Sequence, residues 1–196
     1  MKAAIPNQAI KQLFTEAQTA HAFVPHEITD ETIREIYDLF KWGPTAFNAQ
    51  HGRYLFLKSD AAKERLFPAL MPGNIPQVQS ASLTIVVAYD TQFFEHLPTV
   101  FPAYDAKPIY ENNPALSQEN GFRNSALQGA YLMMAIRSLG LDCGAMSGFD
   151  ADKLNGIFFQ DGRYKVNFLI TVGVADPAGI YPRNPRLSFE QVAQIL

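Results

Sequence analysis

The chain has 196 residues, of which 47% are hydrophobic, 12% aromatic and 18% charged, which is typical of a folded globular protein. Its formal net charge is −3 and its basic residues are scattered, which argues against a nucleic-acid or anionic-membrane partner. The one cysteine, Cys143, excludes an internal disulfide and a cysteine-rich zinc site. Apolar runs are too short for a membrane span or a signal peptide, so we expect a cytoplasmic protein.

Two amphipathic helices are predicted in the N-terminal part of the chain. Asn7 is expected to cap a first helix that runs to about Ala20, because apolar residues recur there at helical spacing. Thr29 or Asp30 is expected to cap a second helix, which the Gly43-Pro44 pair stops. The chain thus begins with two helices before its first long strand.

The next segments alternate between strand and helix signals. Residues 53–58 (RYLFLK) are predicted to form a strand, followed by a short helix that begins at Ser59 or Asp60. Residues 83–89 (LTIVVAY) lack alternation, which predicts a central strand buried on both faces, with helices above and below the sheet. Residues 93–113 carry aromatics and prolines without a steady period. Such a long excursion is typical of a lid or binding loop, and we call it the lid segment.

Residues 117–139 form the longest helical pattern, which ends at Gly140 and is expected to cross the core. Four shorter elements complete the chain. They are a glycine-rich strand or loop, a helix, a strand and a helix with a capping box, at residues 141–149, 151–158, 166–174 and 188–191. With no repeat or linker, these mixed signals predict one α+β domain over residues 1–196.

No nucleophile or metal chemistry is predicted. Phosphate-loop, nucleophile-elbow and zinc-protease motifs are missing. The four histidines have no close pair at helical ligand spacing and no cysteine neighbour, so no metal site is expected. Cys143 would need an adjacent base to act as a nucleophile, and a buried, unreactive cysteine is the commoner state.

Two segments have residue types that suit a flat heterocycle. Residues 42–50 (WGPTAFNAQ) end a helix in a turn rich in amide and hydroxyl groups, which can pair with a ring's donor and acceptor edge. A plain helix-stop turn, with Asn48 bonded to its own backbone, is an alternative. Residues 140–148 have three glycines spaced by four, which would let the backbone approach a ring closely. Tight packing of a strand connection would require the same glycines.

A third segment suits a phosphate. Arg183 and Arg186 lie three apart on a segment that Pro182 and Pro185 stiffen. Arginine binds phosphate through two parallel hydrogen bonds, and prolines reduce the entropy lost when such a clamp orders. A solvated tail is the alternative.

Four motifs in this order resemble the nitroreductase superfamily over nearly the whole chain. They are WGPTAFNAQ at 42–50, GFRNSALQ at 121–128, MSGFD at 146–150 and PRLSFE at 185–190. Their details are similar to the malonic semialdehyde reductase branch, which acts in pyrimidine degradation. The resemblance implies a three-layer α+β sandwich, whose mainly antiparallel sheet is flanked by helices, in a homodimer with interlocked termini.

The resemblance also implies a flavin mononucleotide (FMN) at the dimer interface, with residues from both subunits. One chain would supply Pro44, Thr45 and Asn48. The other would supply Asn74 and Gln77 at the ring's polar edge and the backbone of Ala145, Met146, Ser147 and Gly148. The amide of Ser147 or Gly148 would face flavin N5 and act in catalysis.

The phosphate end departs from the family pattern. Typical members of the family carry Arg-Ser-x-Arg where Gln18, Thr19 and His21 stand here, so Arg183 and Arg186 would carry most of the phosphate recognition. Gln77 stands where many relatives have lysine, which removes a cation beside the reduced ring.

By resemblance, NADPH or NADH would reduce the flavin, and a small substrate would then take the hydride in the same place by a ping-pong mechanism. Malonic semialdehyde, reduced to 3-hydroxypropanoate, is the expected substrate, with Arg53 or Arg123 as the partner of its carboxylate. Two alternatives stay open. One is a broad nitroaromatic or quinone reductase on the same fold, and the other is a dimeric binding protein without flavin.

Overall fold

Five strands form the central sheet of the computed structural model, which describes all residues from Met1 to Leu196. The strands are β1 Phe23–Val24, β2 Gly52–Leu57, β3 Leu83–Asp90, β4 Asp142–Met146 and β5 Tyr164–Ala175. All pairings between them are antiparallel. β2 pairs with β3, β3 with β5, and both β4 and the short β1 with β5. The edges of the sheet are therefore β2 on one side and β4 with β1 on the other.

Nine α-helices surround the sheet. They are α1 Asn7–Ile10, α2 Asp30–Phe40, α3 Asp60–Glu64, α4 Ile75–Ser80, α5 Leu97–Val100, α6 Lys107–Glu111, α7 Pro114–Ser138, α8 Ala151–Phe158 and α9 Phe189–Val192. Helices α2 and α7 cover one face of the sheet and α3, α4 and α8 the other. The predicted three-layer α+β sandwich is confirmed.

Strand β3 explains why the layers form. All eight of its residues are buried, and its side chains alternate between the two faces. Ile85 and Val87 belong to the cluster under α2 and α7, and Val86 and Ala88 to the cluster under α3, α4 and α8. A strand without polar alternation needs cover on both faces because exposing either face would leave apolar surface in water. The prediction from residues 83–89 is confirmed.

The predicted first helix is wrong in its length. The α-helix covers only Asn7–Ile10, a π-helical turn continues over Lys11–Thr15, and the N-cap is Pro6 rather than Asn7. Beyond Glu16 the chain extends, because Thr19 pairs with Cys143 and the Ala20 amide donates to the Cys143 carbonyl at 3.2 Å. Pairing with the edge of β4 thus overrides the helical propensity of residues 16–20.

The other predicted elements lie within a few residues of their predicted positions. Thr29 caps α2 and Ser59 caps α3 through their side-chain oxygens. Helix α7 begins three residues earlier than predicted, with Asn113 as its cap. The glycine-rich segment forms β4, and the capping box at Ser188 opens α9. No helix of the chain is both long and apolar enough to cross a membrane.

Both termini run along the surface. Helices α1 and α9 contain no buried residue, and every residue from Tyr181 to Leu196 is exposed. Several of these exposed residues are large and apolar, among them Phe14, Leu187, Phe189 and Ile195. The interlocked homodimer stays a prediction, and these terminal segments are the surface that it would cover.

Candidate functional site

Predicted residues from the two ends of the chain meet in one pocket of about 240 Å³ beside the start of β4. We call it the anion pocket. Its lining includes Gln18, Thr19, His21, Arg137, Arg183 and Arg186. The extended segment 17–20 and the C-terminal tail, residues 181–186, form its two walls. Hydrogen bonds of 2.9 Å from the Arg183 guanidinium to the Thr15 and Ala17 carbonyls hold the walls together.

The anion pocket has positive charge without a counterion. Its three arginines form no ion pair with any carboxylate of the chain, and no acidic residue lines it. Like charges that are gathered in this way repel one another unless an anion neutralises them. The rigid donor forks of arginine suit phosphate oxygens. The pocket is therefore suited to a phosphate group.

A second group of predicted residues lies at the other end of β4. The Gly148 carbonyl accepts a hydrogen bond from the Asn74 side chain and another from the Met71 amide, each at 2.9 Å. The amides of Ser147 and Gly148 donate no hydrogen bond within the chain. Ser147 is exposed, and so is Ala145 on β4 before it. Two free N–H groups are thus presented on a backbone that its neighbours hold in place.

Packing explains two of the glycines in this segment. A Cβ atom on Gly148 would come within 2.4 Å of Asn74 Nδ2, and one on Gly144 within 2.3 Å of Gln77 Nε2. Gln77 donates both of its amide hydrogens within the chain, to the Ala20 carbonyl and to the Thr171 hydroxyl. Only its Oε1 is left for a ligand. Gln77 therefore supports β4 from behind, in addition to any contact with a ring.

The predicted turn at residues 44–48 is strained and well anchored. Phe47, Asn48 and Gln50 all have φ near +50°, a backbone conformation that residues other than glycine rarely adopt. Pro44 and Asn48 are exposed, and the Asn48 side-chain Nδ2 donates to the Val100 carbonyl in the lid segment at 3.0 Å. Thr45 Oγ1 accepts a hydrogen bond from the Gln50 amide. Strain of this kind persists only where surrounding contacts impose it, and it concentrates at functional sites.

The turn and the glycine segment lie at opposite edges of the sheet. The turn precedes β2, the glycine segment contains β4, and β5 and β3 lie between these two strands. Three strand spacings amount to about 14 Å. No hydrogen bond joins the two groups within the chain. Within a single copy of the chain, strands β3 and β5, covered by helices on both faces, therefore separate the two groups.

The two arginines that were expected to bind a substrate carboxylate already have partners. Arg53 donates to the fully buried Asp90 at 2.8 Å and to the Gln50 and Gly52 carbonyls. Arg163 also donates to Asp90, at 3.1 Å. Arg123 pairs with Glu119 on the exposed surface of α7. The contacts of Arg53 thus link the start of β2 to the end of β3, and the carboxylate role has no structural support for either arginine.

A cavity of about 680 Å³ lies between the end of β3, the start of β5, the lid segment and helices α7 and α8. Lys165 lines it and has no carboxylate partner, whereas Glu111 and Asp152 line it with the opposite charge. Phe94 and Tyr110 of the lid segment and Phe122 of α7 supply aromatic surface. No predicted site residue lines this cavity, and its volume suits a small organic molecule.

Burial shifts the pKa of two groups near these sites, His51 and Cys143. His51 is fully buried, has no hydrogen-bond partner at either ring nitrogen, and packs 3.9 Å from the ring of Phe93. Burial, followed by the charge of Arg53, lowers the pKa of His51 to about 4. Burial likewise raises the pKa of the Cys143 thiol. Both groups are neutral at pH 7.

Sequence patterns missed two residues of this region. In the sequence, Arg137 is an ordinary cation in the last turn of α7, where positive charge complements the helix dipole. Asp90 is a polar residue at the end of a strand, which by itself indicates no further role. Only the fold places Arg137 in the anion pocket and Asp90 between two guanidinium groups.

These features fit a flavin nucleotide. The anion pocket has the donors for a phosphate, and the free amides at Ser147 and Gly148 lie at the opposite end of β4. Four residues of an extended strand separate the two, which is about 13 Å. An elongated ligand with a phosphate at one end and a flat ring at the other can therefore lie along this edge of the sheet.

Comparisons with known proteins agree with the fold and with the motifs. A family model described as the nitroreductase family matches residues 14–174. A relative from Rhodopseudomonas palustris is 47% identical over 196 residues, and one from Polynucleobacter asymbioticus is 45% identical over 196 residues. Each alignment covers both chains completely. Both relatives are named as candidate NADH dehydrogenases or NAD(P)H nitroreductases.

Solved structures show the same architecture. A candidate nitroreductase from Bacillus subtilis superimposes with a TM-score of 0.88 at 25% identity, covering 96% of this chain and 99% of the other. A candidate nitroreductase from Exiguobacterium sibiricum, solved in complex with FMN, gives a TM-score of 0.85 at 22% identity. It covers 100% of this chain and 99% of the other.

Proposed function

This chain belongs to the nitroreductase family, and on that premise we propose that it is an FMN-dependent oxidoreductase that uses NADPH or NADH. When bound, FMN supplies hydride transfer at its N5 atom. The observation that carries the proposal is the pairing of the anion pocket with the free amides of Ser147 and Gly148 along one edge of β4. The names of the relatives support the choice of hydride donor.

The residues of the chain would act by binding and orientation. The arginines of the anion pocket would hold the phosphate. The amides of Ser147 and Gly148 would donate hydrogen bonds to the ring, and because Asn74 and Met71 fix Gly148, these donors are organised in advance. No side chain near them needs to act as a nucleophile. Preorganised donors and exclusion of water are the contribution of the protein.

We propose that two copies of the chain form each site. The strained turn at Pro44, Thr45 and Asn48 lies about 14 Å across the sheet from the glycine segment, and the covered strands β3 and β5 separate the two groups within one copy. The exposed apolar side chains of the termini and of α7, such as Phe14, Leu127 and Tyr131, support a large interface. A homodimer would bring the turn of one copy to the glycine segment of the other.

Flavin binding and reduction test this function. We expect the protein to bind FMN, to melt at a higher temperature with it, and to lose the yellow flavin absorbance when NADPH or NADH is added without oxygen. A second substrate should give the parallel-line kinetics of a ping-pong mechanism. A protein that stays colourless with excess FMN and melts unchanged would refute the proposal and favour the binding protein without flavin.

For the acceptor, we propose a small aldehyde acid such as malonic semialdehyde. The four sequence motifs support it, and Lys165 offers an unpaired cation in the 680 Å³ cavity beside the lid segment. A nitroaromatic or quinone acceptor is the second candidate, which the names of the relatives favour. The ratio of kcat/KM for malonic semialdehyde to that for a nitroaromatic discriminates between them, and Lys165→Met should lower only the former.

A further inference from the structure

The anion pocket contains a third guanidinium that no sequence motif indicates. We propose that Arg137, in the last turn of α7, binds the phosphate of the cofactor together with Arg183 and Arg186. This inference rests on the proposed FMN site. It assigns to Arg137 the phosphate recognition that Gln18 and His21 do not supply.

The position of Arg137 is fixed by two links to the N-terminal segment. Its backbone carbonyl accepts a hydrogen bond from the Gln12 side chain at 2.7 Å, and its own Nη1 donates to the Leu13 carbonyl at 3.2 Å. Leu13 lies in the π-helical turn that precedes the extended wall of the pocket. The guanidinium is therefore held against this wall, half-buried, rather than free in solvent.

The donors of Arg137 are mostly free. A guanidinium has five N–H groups, and the Leu13 carbonyl takes one of them. No carboxylate lies within ion-pair distance, although nine of the other lysine and arginine side chains have such a partner. A role at the helix dipole explains a cation in the last turn of α7. It does not explain why two more unpaired arginines share the same small pocket.

The neighbours of Arg137 supply no comparable group. Gln18 is a neutral amide, and the ring of His21 packs 5.0 Å from the ring of Tyr181 in the tail. Arg183 is bound to the Thr15 and Ala17 carbonyls and Arg186 to those of Asn184 and Pro185. A phosphate monoester carries close to two negative charges at pH 7, so a third guanidinium improves the balance of charge.

Flavin affinity with and without the phosphate isolates this role. Arg137→Gln, Arg137→Lys and the control Arg34→Gln would each be titrated with FMN and with riboflavin, using the quenching of flavin fluorescence. Arg34 is exposed, lies on α2 and forms no ion pair, so its variant makes the same charge change away from the pocket. Melting temperatures without ligand show whether each variant folds.

We expect Arg137→Gln to weaken FMN binding by about 10- to 100-fold, which is the loss of hydrogen bonds to a charged group, and to leave riboflavin affinity unchanged. The FMN affinity of Arg137→Lys should lie between that of wild type and that of Arg137→Gln. Arg34→Gln should change neither the FMN affinity nor the riboflavin affinity. An equal loss for FMN and riboflavin, or no loss for either, would overturn the inference while the FMN function stands.

Two further outcomes identify the source of the failure. If Arg137→Gln raises KM for NADPH but not for NADH, with FMN affinity unchanged, the pocket binds the 2′-phosphate of the nicotinamide cofactor and the inference is wrong. If the wild-type protein itself binds no FMN, the proposed function fails together with the inference.

Discussion

Replacing Gly148 by alanine should damage the candidate site through one steric contact. The new Cβ would lie 2.4 Å from Asn74 Nδ2 and 3.3 Å from Met71 Sδ. Asn74 must then move and lose its hydrogen bond to the Gly148 carbonyl, which contributes about 1 kcal/mol. Asn74 Nδ2 and Met71 Sδ are the ends of side chains that reach solvent, so both can move aside with little further cost. We therefore expect Gly148→Ala to lower the free energy of unfolding by about 1 kcal/mol.

The same movement displaces the two free amides, so flavin affinity should fall with stability. Backbone conformation is not the cause, because positive φ among the glycines occurs only at Gly140 and Gly162. Gly156→Ala is the matched control, since Gly156 lies exposed in α8 with no atom within 4 Å of the place that a new Cβ would take. Alanine there should stabilise the helix by about 0.5–1 kcal/mol.

Urea denaturation without ligand and fluorescence titration with FMN measure both effects of Gly148→Ala. The double variant Asn74→Ala/Gly148→Ala tests the mechanism, because removal of the Asn74 amide relieves the clash. Gly148→Ala should cost less stability in that background than in wild type, and the difference is the coupling between the two residues. Equal costs in both backgrounds, or a Gly148→Ala variant as stable as Gly156→Ala, would refute the steric reasoning.

Three further variants probe the surroundings of the site. Asp90→Asn leaves the guanidiniums of Arg53 and Arg163 without their buried counterion, and because both keep some contact with solvent we expect a loss of about 2–3 kcal/mol in urea denaturation. His51 has a lower pKa folded than unfolded, so wild-type stability should fall as the pH drops from about 6.5 to about 4. The stability of His51→Leu should not show this part of the fall between pH 6.5 and 4. A pH profile of stability parallel to that of wild type would contradict the role of His51. Arg186→Ala should weaken FMN binding by about 10- to 100-fold, and undiminished affinity would place the phosphate elsewhere.

Local sequence was sufficient for most elements of the fold. The unbroken apolar run of β3 required two covering layers, and both exist. Thr29 and Ser59 cap their helices through side chains that accept from the neighbouring backbone, and at the start of α9 the Gln191 side chain accepts from the Ser188 amide, so these caps are visible in a few consecutive residues. The predicted length of the first helix was wrong for the opposite reason, because Thr19 and Ala20 pair with the distant strand β4.

The resemblance of four ordered motifs identified the family from the sequence, and the family model that matches residues 14–174 confirms it. The resemblance also brought Gln18, His21, Arg183 and Arg186 to one expected phosphate site, and the fold places them around one pocket.

Only the tertiary structure decided whether each arginine forms an ion pair within the chain or stays available to a ligand. Arg53 is committed to Asp90 and unavailable to a substrate, whereas Arg137 is unpaired and lines the anion pocket. The same guanidinium can serve packing or binding, and its neighbours in space determine which. Those neighbours are more than 30 residues away along the chain in both cases, beyond the reach of local patterns.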